Sequence, residues 1–253
     1  MKVLITAGGT TEPIDRVRSI TNTSTGKLGS LIADAYSGIE EVTKIYYICG
    51  KNSIVPQTEK AELVFVDTVA SLEDAIKNII ERDTIDIIIH SMAVSDYRVK
   101  TVTSVPMISK TLNDKLDILH EKAAILEDFV ASLFQDSETI MSSDGKIRSN
   151  INQLILCMEQ TPKVISFFQK IAPEAILVGF KLLDQVSVEE LIETAFHVLQ
   201  DNHCSFVLAN DLQDITKDKH VGYLIDRNKK IQIRSTKEEI AQAIVTATLE
   251  LNQ

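Results

Sequence analysis

An α/β fold built on a doubly wound, mostly parallel sheet is what this sequence predicts, and three observations predict it. Short apolar runs bounded by glycine or loop residues recur along the chain, as strands buried on both faces require. Stretches with apolar residues at helical spacing alternate with them, and the order β-α-β-β-α-β across residues 3–89 is that of a Rossmann-like sheet. Finally, 253 residues with 44% apolar and 25% charged side chains suit one large domain with a proper core. The reading is a single domain, 1–253, carrying a flap-like insertion at about 98–150.

Val3, Leu4 and Ile5 form the first strand, which ends at Gly8-Gly9. Glycines there let the backbone turn sharply and let a ligand reach its N–H groups with no Cβ in the way. A second turn, Asn22 to Gly29, runs into a helix whose stripe is Leu28, Leu31, Ile32 and Ala35. Free N–H groups and the positive end of a helix dipole suit a phosphate, so Lys2 to Ala35 reads as an anion cradle. It is not one of the two familiar kinds. G-x-G-x-x-G is absent, and a P-loop needs glycine where Thr21 stands. Asn22-Thr23-Ser24 fits a glycosylation sequon, which has no use without a secretory signal.

Lys44 to Cys49 and Glu62 to Asp67 read as the second and third strands, and Thr68 to Arg82 as a helix begun by Ser71 with Asp74. Ile85 to Ile89 is a fully apolar strand. The loop after it, from His90 to Arg98, should face the same crevice as Gly8-Gly9, because ligands bind outside the carboxyl ends of such strands. Val99 to Ser143 carries a helix-like stripe through Ile118, Leu119, Ala123, Ile125, Leu126, Phe129, Val130, Leu133 and Phe134, to which no chemistry is assigned. The remaining order is a strand at Leu154 to Met158, a helix at Thr161 to Ile171 with Pro162 in its first turn, and a strand at Ala175 to Phe180. A helix at Val186 to Leu199, a strand at Cys204 to Ala209, a hairpin of Val221 to Asp226 with Lys230 to Arg234, and a closing helix with Lys237 and Ala241 complete it.

A net charge of −10 and a pI near 5.0 argue against broad electrostatic binding to nucleic acid or anionic membrane. Cys49, Cys157 and Cys204 are odd in number and lack C-x-x-C spacing, so they read as core thiols of a reducing cytoplasm. The five histidines show no metal-binding pattern. No apolar run reaches the roughly 18 residues of a membrane span.

The string AGGTTEPIDRVR followed by TNTSTGKLG closely resembles the amino-terminal signature of phosphopantothenate–cysteine ligases of coenzyme A biosynthesis, in their stand-alone form. The stretch Met92-Ala93-Val94-Ser95-Asp96-Tyr97-Arg98 resembles the family's A-A-V-A-D-[WY]-R. Asp144-Gly145-Lys146-Ile147 resembles its lysine-isoleucine pattern, Gly179-Phe180 its G-F turn, and Ala209-Asn210-Asp211 its V-A-N-D. The resemblance implies that 4′-phosphopantothenate is activated by CTP, or ATP, as an acyl nucleotidylate and captured by L-cysteine. It implies phosphate contacts at Gly8, Gly9, Thr10, Ser24, Gly26 and Gly29, base contacts at the Met92 and Ala93 backbone and at Phe180, and a nucleotide contact at Asn210. Asn22 would orient the acyl carbonyl, Lys146 (with Lys110 as its competitor) would follow charge onto pyrophosphate, and Asp96 would help hold Mg²⁺. The expected partners are these small molecules and a second copy in a homodimer. Two other readings stay open: a nicotinamide-dependent reductase, which should have an acidic residue where Cys49-Gly50 closes the second strand, and a nucleotide-sensing module without turnover.

Overall fold

A computed structural model describes residues 1–115, 127–216 and 219–252. In chain order the elements begin with β1 (Lys2–Ala7), β2 (Thr11–Pro13), β3 (Ser19–Thr21), α1 (Lys27–Ser37), β4 (Lys44–Gly50), β5 (Ala61–Val66), α2 (Val69–Arg82) and β6 (Ile87–His90). They continue with β7 (Tyr97–Ser104), α3 (Val105–Asp114), α4 (Glu127–Leu133), β8 (Leu154–Gln160), α5 (Val164–Ile171) and β9 (Ile176–Leu183). The last are α6 (Val188–Asp201), β10 (Phe206–Asp211), β11 (Gly222–Asp226), β12 (Ile231–Arg234) and α7 (Lys237–Leu251). The chain divides into two compact units, one of residues 1–10, 22–94 and 163–253, the other of residues 11–21 and 95–162. The second unit thus takes in the whole of the 98–150 segment and adds the 11–21 stretch and both flanks.

The first unit is organised by an eight-stranded sheet in the order β12-β11-β10-β9-β6-β1-β4-β5. Its strands from β10 to β5 are parallel, and β11 and β12 add an antiparallel hairpin at one edge. Chain direction across the sheet reverses between β1 and β6, which makes that pair the topological switch point. Alternation along β1 explains why it can lie there. Val3, Ile5 and Ala7 face a core closed by α1 and α7, while Leu4 faces a second core closed by α2, α5 and α6. Both faces are covered, so the strand reads as a continuous apolar run.

One helix cap and one helix start differ from the sequence reading. α2 is capped by Thr68, whose hydroxyl accepts the Ser71 N–H at 3.2 Å while the Ser71 hydroxyl accepts the Thr68 N–H at 3.0 Å, so Ser71 closes the capping box and Asp74 takes no part. α5 begins at Val164, leaving Pro162 outside it. Thr161 is held in line with β8 because its N–H reaches the Asp96 carbonyl at 3.0 Å.

The second unit contains two antiparallel pairs, β2 with β3 and β7 with β8. Neither β7 nor α3 was expected. α3 is capped by the Ser104 hydroxyl, with Pro106 in its first turn. Of the stripe read between Ile118 and Phe134, residues 118–126 lie outside the described residues. On α4, Leu133 is buried and Val130 is 43% exposed.

Candidate nucleotide site

The expected cradle comes together in the first unit at the switch point. Gly8 has φ +78° and Gly26 φ +72°, left-handed values that glycine adopts without a Cβ penalty. The two turns touch: a Cβ on Gly26 would lie 3.2 Å from the Gly8 nitrogen, and one on Gly9 would lie 1.9 Å from the Asn22 carbonyl oxygen. A third loop, after β4, closes from below. Ile54 N–H reaches the Thr25 carbonyl at 2.9 Å, and Ser53 lies under Gly8. That loop carries no glycine motif, and the sequence reading missed it.

Hydrogen bonds lock the loop after β6 to the loop after β1. Ala93 N–H donates to the Gly8 carbonyl at 2.8 Å, and Thr10 N–H donates to the Ala93 carbonyl at 3.1 Å. Asn22 joins both, its N–H on the Thr10 carbonyl at 3.2 Å and its Nδ2 on the Val94 carbonyl at 3.0 Å. The Ala93 N–H is therefore spent on the loop pairing. Met92 turns its side chain into the core, at 6% exposure.

The start of α1 is the most anion-ready feature. Gly26 is its N-cap, with no side-chain cap and no acidic residue in the first turn; α5, behind Lys163, shares both features, whereas α2, α3, α6 and α7 are each capped by a hydroxyl, and α1 differs from α5 in the glycine that leads it. A helix leaves its first N–H groups without intrahelical partners, and those of Leu28 and Gly29 stand at the positive end of the dipole. Ser24 is exposed, its hydroxyl 3.5 Å from the Gly26 N–H. Gly29 serves packing as well, since a Cβ there would meet the Ala7 methyl at 2.6 Å.

Farther along the sheet the strand boundary differs from the sequence reading. Phe180 was read at a strand-ending turn, but β9 runs on to Leu183, so Phe180 pairs with Leu208 and packs against the core. Leu182, not Phe180, stands beside Asn210. The strand is extended because Asp211, buried and unassigned from sequence, accepts the N–H groups of Gln185 and Val186 at 3.1 and 3.0 Å. These bonds hold its carboxyl below the usual range. Asn210 is 5% exposed, with Nδ2 bonded to His220 and to the Val221 carbonyl. Burial pushes the Cys49 thiol up to about 11 and the Cys204 thiol up to about 12, which makes both inert core groups.

Asp96, Lys110 and Lys146 belong to the second unit, and all three are exposed. Among the described residues no group of three or more His, Cys, Asp or Glu side chains is placed to hold a metal. The Asp96 carboxylate is exposed, and Mg²⁺ binds through one or two carboxylates together with substrate phosphates. Lys146 sits beside an anchor. Asp15, its side chain fully buried, accepts the N–H groups of Val17, Arg18 and Ile147 at 2.8, 2.8 and 3.0 Å, and Arg18 Nη2 donates to the Ile147 carbonyl at 3.0 Å. The Arg18 guanidinium holds the Asp15 carboxyl far below the usual range. Asp15 and Arg18 stand in the IDRVR string, whose i, i+3 opposite charges were the available signal.

The whole chain matches, over residues 1–138 and 130–251, the family described as the DNA/pantothenate metabolism flavoprotein C-terminal domain. It is 30% identical over 247 residues to the coenzyme A biosynthesis bifunctional protein CoaBC of Thermococcus kodakarensis, covering 96% of this chain and 49% of that protein. It is 28% identical over 256 residues to the protein of the same name from Methanocaldococcus jannaschii, covering 99% of this chain and 51% of that one. The chain therefore spans about half the length of these curated relatives. Among solved structures, the DNA/pantothenate metabolism flavoprotein from Streptococcus pneumoniae superposes with a TM-score of 0.79 at 30% identity, covering 99% of both chains. A Cab2 mutant in complex with phosphopantothenate-cysteine shares the fold, with a TM-score of 0.69 at 18% identity over 99% of this chain and 86% of that one. A match of this extent, on this sheet and these loops, places the chain in the DNA/pantothenate metabolism flavoprotein C-terminal domain family.

Proposed function

We propose that this chain is a phosphopantothenate–cysteine ligase, joining 4′-phosphopantothenate to L-cysteine at the expense of a nucleoside triphosphate, with CTP preferred to ATP. The observation that carries the reading is the uncapped, glycine-led start of α1, packed against the Gly8-Gly9 turn at the switch point. The names of the relatives point the same way. Among the described residues no helix is long and apolar enough to cross a membrane, in keeping with a cytoplasmic enzyme of small molecules.

A carboxylate does not condense with an amine near neutral pH until its oxygen becomes part of a leaving group. In the proposed reaction a carboxylate oxygen of 4′-phosphopantothenate attacks the α-phosphorus, the bond to the β-phosphate oxygen breaks, and pyrophosphate leaves. The cysteine amine then attacks the acyl carbon. The carbon–oxygen bond to the nucleotide breaks, the nucleoside monophosphate departs, and the amine gives up a proton. Both steps bring anions together, so positioning and charge neutralisation supply most of the rate. The N–H groups of the α1 start and the Gly8-Gly9 turn hold phosphate. Asn22, tied to Val94 through one N–H, keeps its other N–H and its oxygen to orient the acyl group. Bound Mg²⁺, with Asp96 as its protein ligand, would reduce repulsion between phosphates. Lys146 is favoured over Lys110 because its neighbour Ile147 is fixed at both main-chain groups. A homodimer would supply it from the neighbouring subunit's flap.

The deciding assay is pyrophosphate release with 4′-phosphopantothenate and cysteine, run with CTP and with ATP. The proposal expects release that requires the acid and the triphosphate, with amide product only when cysteine is added. It expects Lys146→Gln to abolish formation of the acyl nucleotidylate. No release with either triphosphate would sink the ligase reading, and unchanged turnover in Lys146→Gln would remove that lysine from it.

A further inference from the structure

The end of β10 holds a polar pair whose bonding fixes what it can offer a ligand. Asn210 Nδ2 lies 3.1 Å from the Val221 carbonyl oxygen and 2.8 Å from His220 Nε2. A carbonyl oxygen only accepts, so the amide atom facing it must be the nitrogen, and the carboxamide has one possible orientation. The same nitrogen then donates its second hydrogen to Nε2, which must carry a lone pair. In the neutral ring the proton therefore sits on Nδ1. Burial, with the Lys237 charge as a lesser cause, lowers the imidazole pKa to about 4, so the ring is neutral at physiological pH. Both N–H groups of Asn210 are thus spent inside the protein, and Oδ1 is the one polar atom of its side chain left for a ligand.

The arrangement is not free of cost. His220 is 6% exposed, and among the described residues its Nδ1 has no hydrogen-bond partner, which is costly for a buried donor. Such exceptions are uncommon in folded proteins and collect where a polar group has a task. Here the ring's other nitrogen has one: together with the Val221 carbonyl it holds the carboxamide against rotation.

We propose that His220 is a positioning residue that, with the Val221 carbonyl, makes Asn210 a one-way acceptor, so that Oδ1 selects a nucleotide hydroxyl or exocyclic amino group and rejects a carbonyl in the same place. This rests on the reading of the crevice as a nucleotide site. The shared chemistry is a hydrogen-bond donor, supplied by the base or by the ribose, and the choice of triphosphates separates the two.

The test uses the whole chain. Long-range ¹H–¹⁵N spectra of the histidine rings report the tautomer of His220, and equilibrium titrations compare CTP with UTP, ATP with ITP, and CTP with 2′-deoxy-CTP. The expected result is an Nδ1–H tautomer and a preference for the amino base over its keto counterpart, or for the ribose over the deoxyribose. In His220→Ala one of the two bonds on Nδ2 is lost and the Val221 carbonyl alone opposes rotation of the carboxamide, so that preference should shrink about fivefold to tenfold, the worth of one hydrogen bond. His220→Gln, whose Oε1 can accept from Asn210, should restore most of it, which a general loosening of the fold would not do. An Nε2–H tautomer overturns the proposal whatever the nucleotide results. So does a wild-type protein that binds all partners of the pairs alike, or a preference unchanged in His220→Ala. Failure of the wild type to bind any of the triphosphates, alongside an Nδ1–H tautomer, removes the nucleotide site itself and the proposal with it.

Discussion

Gly9→Ala separates a bend that is merely flexible from one whose shape is packed in place. Gly9 is not among the glycines with positive φ, so alanine brings no backbone strain there. What it brings is contact. Its Cβ would stand 1.9 Å from the Asn22 carbonyl oxygen and 3.1 Å from the carbonyl carbon, where real Cβ atoms essentially never come within 3.0 Å. The carbonyl must retreat by more than ~1 Å, and close packing leaves no slack for it. Asn22 is pinned at two other points, through its N–H to Thr10 and its Nδ2 to Val94, so the displacement strains both. Overpacking of this kind costs about 1–3 kcal/mol, and misplacing a catalytic group by such a distance costs about 10²-fold in rate. Pyrophosphate release at saturating 4′-phosphopantothenate, cysteine and triphosphate, read beside thermal unfolding, should show a cooperative but lower Tm and a kcat about a hundredfold down. Turnover within about twofold of wild type, with an unchanged Tm, would refute the idea that this turn sets the position of Asn22.

Other substitutions test the packing around the site. Gly38 caps α1 at φ −75° and ψ −8°, an ordinary helical conformation, and among the described residues its Cβ would meet only the Ala35 carbonyl, at 3.6 Å. Gly38→Ala should therefore raise stability by about 0.4–1 kcal/mol in urea titrations, with turnover unchanged; a loss would show a constraint the backbone angles do not reveal. Tyr36, fully buried, donates its hydroxyl to Thr248 at 2.6 Å, while the Thr248 hydroxyl donates to the α7 backbone. Tyr36→Phe should cost about 1 kcal/mol in the same titration, and no change would mean that the bond contributes nothing to joining α1 and α7. His90 is buried against Phe168 and bonded to Thr6, and burial lowers its pKa from 6.5 to about 4. The unfolded chain takes up this proton first, so the stability it protects is full above pH 6.5 and drains away as pH falls toward 4. The loss is of the order of 3 kcal/mol at most. Urea midpoints measured across that window should fall, less steeply in His90→Gln, and a flat profile would contradict the burial argument.

The fold was legible wherever a residue's role depends on its near neighbours in sequence. Val3 to Ile5, Lys44 to Cys49 and Ile87 to Ile89 are strands because each is apolar on both faces, and period and glycine boundaries report that directly. The bounds of α2 were read correctly but its cap was read at Ser71 rather than Thr68, because Thr68, Ser71 and Asp74 are all competent cap residues and backbone geometry chooses among them. β7 was missed for a different reason. Its sequence, YRVKTVTS, pairs with β8 from fifty or more positions away, and its first half is mostly exposed, so no continuous apolar run marks it.

The site divides along the same line, and that division says which of its residues a sequence can disclose. Gly8, Gly26 and Asn22 were legible because turns constrain residue type locally: two left-handed positions call for glycine, and a short amide that bonds backbone suits the bend between. In the second unit Asp15 was not, although its side chain is fully buried. Its decisive partner is the main-chain N–H of Ile147, 132 positions away, and every residue except proline offers an N–H. A bond to a generic group leaves no mark on the partner's identity. The same holds for Asp211 with Gln185 and Val186 and for Asn210 with Val221. Each places a side chain of specific type against a backbone group of no type, so one half of the interaction is written in the sequence and the other only in the fold. His220 is the exception that can be checked, because its partner is a side chain, and the lone pair that bond requires on Nε2 is open to measurement.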